Sequence, residues 1–472
     1  MGRDKGGVIA TSNVFRRLIS IILSKMKKSL LLIFGLIGGL NIIHSQENSI
    51  WGTLLTGGKY ENGGIFKLDS LGKNSEQIFE FYESQGSTPD AALLELPNGE
   101  FIGTTSLTID RQGEGLIFKY NREEQIITKL FDFKNTGYIE KAPRGRQVLG
   151  SNGKVYGISG GASSSSNMYE FDLDSNLYSS VVYFGWSAPQ EILNSKNGNL
   201  FFTVQSNDPW TFRRDALFEF DPTNDSLVER VFFNGVNGEK PIGKLLEKDS
   251  LLYGVTAEGG SNNKGILFSY NKNTQIAEVI LEFDTVNLKN PQGSLSSMSD
   301  SVIFGSTSVQ DTGNYGGVFS ININSREVKV LLAFDSLLTG FGKNDNVLEY
   351  EVGKLAILNE MGSTNNEGKL LLFDVVNNQI THSWNLDSSR YGTRPVSMTF
   401  SPKDTSIYFA CNKGGRRDNG TIVRLDLNHF NLSRSVDFRA KENGSYVTSR
   451  LALGSNGKLY GSARRGGNFQ GG

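Results

Sequence analysis

The sequence predicts an all-β chain that folds as a β-propeller of four-stranded blades, with about eight repeats of roughly 51 residues. Two observations predict this fold class. A strand-like segment ending in Asp or Asn recurs at nearly constant spacing, and 55 of the 472 residues are glycine. The glycine share is about 12 per cent, compared with roughly 7 per cent in average proteins. Repetition at a fixed period indicates one structural unit copied along the chain.

The third strand of each predicted repeat defines the period most clearly. The Asp or Asn at its end recurs every 49 to 52 residues. These residues are Asp69, Asn121, Asp172, Asp221, Asn271, Asn322, Asp374 and Asp426. A chance pattern would not keep this spacing, so we expect one supersecondary unit repeated through the chain.

The fifth repeat shows the four predicted strands within one unit. Alternation of apolar and polar residues and bounding turn residues, rather than helical spacing, indicate each strand. The strands are Gly243–Glu247, Leu251–Thr256, Gly265–Tyr270 and Ala277–Phe283. Alternation in the third strand predicts one apolar face and one polar or looser face. We expect the Asp or Asn that follows this strand to close the turn through its own backbone.

Glycine and proline punctuate the repeat. Glycine pairs such as Gly259-Gly260 and Gly414-Gly415 predict hairpins that need positive φ between the second and third strands. Six prolines are predicted to stand just ahead of the first strand, where a missing N–H donor does no harm. These are Pro89, Pro143, Pro189, Pro241, Pro291 and Pro395. Since a single unit cannot bury both faces, stacking of the units as propeller blades is expected.

The two ends of the chain are predicted to complete one blade together. Strands within Trp51–Phe81 would be joined by a first strand at Val447–Ala452. Lys458–Ala463 then resembles the second strand of a ninth copy, and the sequence stops at Gly472 within that repeat. We therefore expect a propeller domain over residues 46–472 that is truncated at its carboxy terminus.

Residues 1–45 are predicted to be a signal peptide. Leu30–Ile43 is an apolar run that follows Lys25, Lys27 and Lys28, with cleavage expected near Ser45. Met26 is the more natural start. A run this short favours export over a membrane span, which needs about 20 residues. The alternative is an uncleaved anchor extended by Leu18–Leu23. We expect a secreted or outer-surface protein without a stable membrane span after cleavage.

The composition excludes several function classes. Lysine and arginine total 48 and acidic residues 49, so no overall basic excess indicates a nucleic-acid partner. Removal of residues 1–45 leaves 41 basic and 48 acidic residues, a net charge of −7. Three histidines and one cysteine rule out disulfide frameworks and Cys/His zinc sites. No metal, cofactor or catalytic residue is predicted.

The pattern Leu-Tyr-Gly-x-Thr, Gly-Gly and Gly-x-x-Phe, best matched at Leu252–Phe268, resembles the GloVer tandem repeat. That repeat occurs in exported bacterial proteins with varied surface-attachment signals, known as choice-of-anchor proteins. The resemblance implies no enzymatic activity. It weakens at Leu200–Phe218 and Lys354–Phe373, where the Gly-Gly pair is lost, and the carboxy-terminal sorting module of such proteins is missing.

The loop rim of the fourth repeat departs most from the pattern, and propeller function lies on such loops. Trp186 lies in the inter-blade loop, and Trp210 lies in the hairpin beside Arg213 and Arg214. Two exposed indoles with a polar fringe would form a stacking platform for a sugar ring or a peptide. Carbohydrate or protein is therefore the expected partner. The alternative reading is that both rings fill gaps left by the absent glycines.

Other candidate residues favour structural roles. His382 and His429 have no credible catalytic partner in the sequence. The segment Asp172–Asn176 imitates the start of a calcium loop but lacks its glycine and terminal glutamate, so a turn is preferred.

Three function classes stay open. We favour a non-catalytic propeller that binds a partner through its rim. The alternative is a propeller enzyme, a lyase or glycoside hydrolase, that degrades polysaccharide with two close carboxylates from Asp208, Asp215, Glu258 or Asp311. A purely structural or adhesive array is the third.

Overall fold

The computed structural model describes residues 49–54, 64–69, 76–80, 93–105, 115–121, 124, 126–133, 143–161, 164–185, 187–206, 214–284, 288, 290–307, 315–341, 347–362, 366–402, 404–415, 420–437, 445–447, 452–453 and 459–465. Regular structure in these segments is β-strand, and they contain no α-helix. No helix that is long and apolar enough to cross a membrane occurs among them. The predicted signal peptide lies outside the described residues.

Six sheets consist of four antiparallel strands that are neighbours in chain order. The second sheet contains β4–β7 (Leu94–Glu95, Phe101–Thr105, Leu116–Asn121, Ile126–Asp132), and the third contains β8–β11 (Pro143–Leu149, Val155–Gly161, Ser164–Asp172, Leu177–Gly185). The fifth contains β17–β20 (Glu239–Lys248, Leu251–Glu258, Ile266–Asn271, Ala277–Glu282), and the sixth contains β21–β24 (Pro291–Ser296, Val302–Thr307, Gly317–Asn322, Val328–Ala333). The seventh contains β25–β28 (Val347–Glu351, Lys354–Asn359, Lys369–Asp374, Gln379–Asn385), and the eighth contains β29–β32 (Thr393–Ser401, Ser406–Lys413, Thr421–Asp426, Asn431–Asp437).

The fourth sheet follows the same plan with a first strand broken in two. The short strands β12 (Ala188–Pro189) and β13 (Leu193–Asn194) both pair with β14 (Leu200–Gln205). The strands β15 (Ala216–Asp221) and β16 (Ser226–Phe232) complete this sheet.

The first sheet joins both ends of the chain. It contains β1–β3 (Ser49–Leu54, Gly64–Asp69, Glu76–Glu80) and β33–β35 (Ser445–Val447, Ala452–Leu453, Leu459–Arg465). The prediction that Val447–Ala452 pairs with the first repeat was wrong, because β35 is the neighbour of β1. Both are second-strand copies that run in the same direction, so they pair in parallel, and β33 and β34 occupy the other edge of β35.

Successive sheets are stacked face to face. The first strands of neighbouring sheets contact one another, as β17 does with β21, β21 with β25, and β25 with β29. Each hydrophobic cluster found in the described residues from the second to the eighth sheet draws side chains from two neighbouring sheets. In a β-propeller, the first strands of neighbouring blades contact one another and the core is buried between the faces of the blades. The contacts seen here have this arrangement.

The predicted strands of the fifth repeat are confirmed, but the polar face of the third strand is not solvated. Ser269 in β19 is 6% exposed and Glu219 in β15 is 8% exposed. Both faces are covered because the fourth and fifth sheets each lie between two neighbouring sheets. Each buried carboxylate therefore needs a partner, and Glu219 is bonded to Arg230 and Asn199.

Of the six prolines predicted to stand ahead of the first strand, the five that the structure describes lie inside it, and Pro89 lies outside the described residues. Pro241 pairs with Thr256, Pro291 with Thr307, and Pro395 with Cys411. The first strand tolerates proline because it is an edge strand, with a hydrogen-bonded neighbour on one side only.

The turns after the third strand are closed as predicted. The Asp172 carboxylate accepts the backbone N–H groups of Asp174 and Ser175, and Asp221 and Asn271 accept equivalent bonds. These bonds lower the pKa of Asp172, with the N–H of Ser175 as the largest cause. The calcium-like segment is thus an ordinary hairpin turn.

Candidate functional site

The rim of the propeller combines two kinds of loop that meet in space. We use "4–1 loop" for the connection from one sheet to the next and "2–3 hairpin" for the turn between second and third strands. In the fifth sheet, the N–H of Gly260 in the hairpin donates to the carbonyl of Gly235 in the 4–1 loop at 2.7 Å. The N–H of Gly415 makes the same contact with Ser388 in the eighth sheet at 2.6 Å. Both kinds of loop therefore lie on one rim in these two sheets.

Glycine pairs are required at this contact for two reasons. Gly259 and Gly260 have φ values of 86° and 75°, as the hairpin prediction required. In addition, a Cβ at Gly259 would lie 2.5 Å from the carbonyl carbon of Gly238, and one at Gly414 would lie 2.5 Å from the Cα of Gly392. The 4–1 loop can approach the next hairpin this closely only because side chains are absent.

The seventh sheet keeps the first glycine of this pair. Its hairpin lacks the Gly-Gly pair, yet Gly362 has φ 105° and a Cβ there would lie 2.3 Å from the Cα of Gly340. The close approach at the first position of the pair is therefore kept in this sheet. Sequence reasoning missed Gly362 because it searched for two adjacent glycines.

The 4–1 loop Asp335–Gly340, here called the Leu337 loop, is held by hydrogen bonds of its own. The Asp335 carboxylate accepts the N–H of Leu337 at 2.7 Å and that of Leu338 at 2.8 Å. The N–H of Asp335 donates to the Thr339 hydroxyl at 2.6 Å. The two N–H bonds lower the pKa of Asp335, with that of Leu338 as the largest cause.

Two side chains of the seventh sheet hold the Leu337 loop by hydrogen bonds to its carbonyls. Lys369 donates from Nζ to the carbonyl of Leu337 at 3.1 Å, and the Asn359 amide donates to the carbonyl of Thr339 at 2.9 Å. Both side chains are buried, at 8% and 1% exposure. Burial lowers the pKa of Lys369, and the nearby Asp335 carboxylate opposes this shift.

Leu337 and Leu338 at the tip of this loop are 63% and 73% exposed. The 4–1 loop before the fifth sheet is built in the same way, because the Asn234 amide oxygen accepts the N–H of Val236 at 3.0 Å and that of Asn237 at 3.3 Å. Val236 is 78% exposed. The rim thus presents aliphatic side chains on loops whose polar groups are largely bonded internally.

Of the four predicted site residues, the structure describes Arg214. Its exposed guanidinium lies 4.6 Å from the centre of the Phe232 ring, a cation–π contact. Trp186, Trp210 and Arg213 lie outside the described residues, so their common platform stays a prediction. Sequence reasoning missed the exposed leucines. The signal was that Asp335–Gly340 and Asn234–Gly238 both begin with Asp or Asn, carry aliphatic residues and end in glycine.

The two candidate catalytic carboxylates that the structure describes, Asp215 and Glu258, share Lys240 as a bonding partner. Asp215 is 7% exposed and accepts the N–H of Ser206 at 2.6 Å and that of Lys240 at 2.5 Å. Glu258 forms a 2.7 Å ion pair with the Lys240 ammonium. These bonds order the start of the fifth sheet. Asp208 and Asp311 lie outside the described residues.

Both histidines of the propeller make contacts of a structural kind. His429 Nδ1 lies 3.2 Å from an Asp426 carboxylate oxygen. His382 stacks on Phe430 at 3.9 Å between ring centroids and on Trp384 at 5.7 Å. Phe430 belongs to the next sheet, so sequence alone could not supply it. In the part of the chain that can be placed, no cluster of three His, Cys, Asp or Glu residues could hold a metal.

Structural relatives support the fold alone. The chain is similar to Sqt1 of Saccharomyces cerevisiae, with 10% identity, a TM-score of 0.51, and coverage of 79% of this chain and 89% of that chain. An oligogalacturonate lyase in complex with manganese gives 10% identity, a TM-score of 0.41 and coverage of 69% and 89%. TolB from Acinetobacter baumannii gives 12% identity, a TM-score of 0.35 and coverage of 68% and 75%.

Sequence comparison identifies the repeat. No curated protein matches the chain. The model of the Gloeobacter/Verrucomicrobia repeat matches residues 37–211 and 185–355, which together cover more than half of the sequence. With its 51-residue period and the glycine contact between 4–1 loops and 2–3 hairpins, the chain belongs to the Gloeobacter/Verrucomicrobia repeat family.

Proposed function

We propose that this protein is an exported, non-catalytic propeller that acts at the cell surface or outside the cell and binds a partner through its rim loops. The observation that carries this proposal is the Leu337 loop. Two adjacent leucines are exposed there on a backbone fixed by its own hydrogen bonds and by Lys369 and Asn359. Exposed aliphatic side chains on an ordered loop lose little entropy on binding and favour a partner surface.

A protein partner is the kind that this loop supports best. The Asp335 carboxylate accepts two N–H groups of the loop, and the carbonyls of Leu337 and Thr339 accept bonds from the seventh sheet. An apolar recess on a protein would bury the leucines, whereas a sugar needs hydrogen-bonding groups directed at it. Carbohydrate is the partner proposed for the separate Trp186 and Trp210 platform.

The polysaccharide-degrading alternative is the less supported one. It requires two carboxylates free to exchange protons with a substrate, at about 5 to 9 Å from each other. Asp215 is engaged by two backbone N–H groups and Glu258 by an ammonium. No described observation favours cleavage over binding.

A matched pair of leucine variants tests the proposal. Envelope proteins of the producing cell and a glycan array would be probed with the wild type, the Leu337→Ser/Leu338→Ser variant and the Leu177→Ser variant. Leu177 is 64% exposed but lies at the opposite end of the strands. We expect protein binding to fall at least tenfold for the double variant and to persist for Leu177→Ser. Equal binding by all three would overturn the role of the Leu337 loop.

Export and the aromatic platform need their own measurements. Residues 1–45 fused to a reporter should direct it out of the cytoplasm, and retention of the reporter would contradict export. Trp186→Ala/Trp210→Ala should abolish glycan-array signals and leave binding through the Leu337 loop unchanged.

A further inference from the structure

The third sheet carries polar side chains where equivalent sheets carry apolar ones. In the fifth sheet, the Leu245 side chain and the Phe268 ring both pack where a Cβ of Gly254 would stand. In the third sheet, Gln147 takes the place of that leucine, and Tyr169 takes the place of the phenylalanine. The sixth sheet keeps the apolar pair, so the third sheet is the exception.

A third exchange lies two residues further along the same strands, on the same face. Asn167 pairs with Ser159 in the third sheet, where Ile266 pairs with Thr256 in the fifth. Three apolar positions on one face of the third sheet have thus become polar together. This face is turned towards the second sheet, because Tyr169 packs in the cluster that contains Ile102 and Ile117.

These side chains are withdrawn from solvent. Gln147, Ser159, Asn167 and Tyr169 are 0% exposed, and Thr104 of the second sheet is 1% exposed. Burial raises the pKa of the Tyr169 phenol, and the nearby Gln147 side chain opposes this rise. The junction is therefore a buried polar cluster between two sheets.

Hydrogen bonds satisfy part of the cluster. Gln147 donates to the Thr104 hydroxyl at 3.0 Å across the junction. The Asn167 side chain is turned towards the fourth strand, where its oxygen accepts the Ser180 hydroxyl at 2.9 Å and its nitrogen donates to Tyr178 at 3.3 Å.

Among the residues that the structure describes, the Ser159 hydroxyl has no hydrogen-bond partner. The equivalent Thr256 donates to the carbonyl of Glu258 at 2.8 Å and accepts the N–H of Ile266 at 3.1 Å. In the third sheet, a register shift between Ser164 and Asn167 changes the backbone at this level. A buried hydroxyl without a partner is unfavourable, and a partner supplied from solution removes that cost.

We propose that the junction of the second and third sheets is an internal site for ordered water, with the Ser159 hydroxyl as its first ligand. The donors and acceptors of the site are hydroxyl and amide groups. No carboxylate is among them to offset the charge of a cation, so a neutral ligand is preferred. Buried water characteristically joins two to four such groups.

A crystal structure at about 1.8 Å or better tests the proposal on the wild-type protein. We expect density for water at about 2.7 to 3.2 Å from Ser159 Oγ, with at least one further bond to the cluster. A Ser159 hydroxyl that bonds directly to protein, with no water beside it, would overturn the proposal. Density with ligand distances of about 2.3 to 2.6 Å would indicate a cation and would overturn it too.

The fifth sheet provides the matched substitutions. The Gln147→Leu/Asn167→Ile/Tyr169→Phe variant gives the third sheet the side chains of the fifth, and we expect a crystal structure without the water. Ser159→Ala should lower Tm less than Thr256→Ala, because only the threonine hydroxyl bonds directly to protein. An equal or larger loss for Ser159→Ala would contradict the site, even if the triple variant failed to fold.

Discussion

At the scale of single residues, buried ionic groups join neighbouring sheets. Lys272 and Glu247 of the fifth sheet form an ion pair whose side chains are 6% and 9% exposed. The Ser195 hydroxyl of the fourth sheet donates to the same carboxylate at 2.5 Å, and the N–H of Lys196 donates at 3.2 Å. One carboxylate therefore connects two blades.

Removal of the ammonium should be costly. Lys272→Met leaves Glu247 buried without its cation, and we expect the free energy of unfolding to fall by about 3 to 5 kcal/mol in urea titrations. Arg326→Met is the control, because its pair with Glu278 is 53% and 54% exposed and should contribute under about 1 kcal/mol. Similar losses for both variants would contradict the ionic role of Lys272.

The same carboxylate predicts a pH dependence. Burial alone would raise the pKa of Glu247, but bonds from Lys272, Ser195 and Lys196 outweigh it and hold the pKa below its ordinary value. The stabilisation is therefore complete above the unfolded-state pKa, near 4.3, and is lost as pH falls through the lower folded value. Thermal unfolding between pH 7 and 3 should show a smaller decrease for Glu247→Gln than for the wild type. Parallel curves would exclude this contribution.

At the scale of elements, the rim depends on the close approach of the 4–1 loop backbone to the 2–3 hairpin backbone, which is possible because glycines lie at the contact. Gly259→Ala should destabilise the protein by more than the roughly 1 to 2 kcal/mol of a left-handed residue, because its Cβ would also meet Gly238. Gly153→Ala is the matched control, with φ 81° and no heavy atom within 4 Å of the added Cβ. Equal losses in chemical denaturation would show that conformation alone, not close approach, requires Gly259.

The Leu337 loop gives a second prediction at this scale. Asp335→Ala removes the acceptor of the Leu337 and Leu338 N–H groups, so their amides should exchange with deuterium at least tenfold faster. Amides of the equivalent loop before the eighth sheet, ordered by Asp387, serve as an internal reference. Unchanged exchange at Leu337 would mean that the seventh sheet alone holds the loop.

At the scale of the whole molecule, the first sheet unites strands that are far apart in the sequence. A variant that ends at Asp437 lacks β33–β35 and leaves one edge of β1 without its parallel partner. We expect Tm to fall by several degrees in calorimetry, with greater protease sensitivity of residues 49–80. An unchanged Tm would show that this sheet does not stabilise the remaining propeller.

Local chemistry was readable from the sequence because each turn repeats it. Asp172, Asp221 and Asn271 close turns by bonds within three residues, so no distant partner is needed. The third-to-fourth strand pairing contains a register shift in each repeat, as between Leu267 and Phe268 and between Val318 and Phe319, and in the seventh sheet it lies two residues later, between Leu372 and Phe373. That irregularity was not predicted.

The sequence by itself determined the strand content, the period, the hairpin glycines and the propeller class, because these follow from interactions within one repeat of about 51 residues. Only the tertiary structure decided which residues of neighbouring sheets contact each repeat. It placed Phe430 against His382, Gly238 against Gly259, and β35 beside β1. Such contacts depend on how the next sheet approaches, and a pattern confined to one sheet carries no information about that distance.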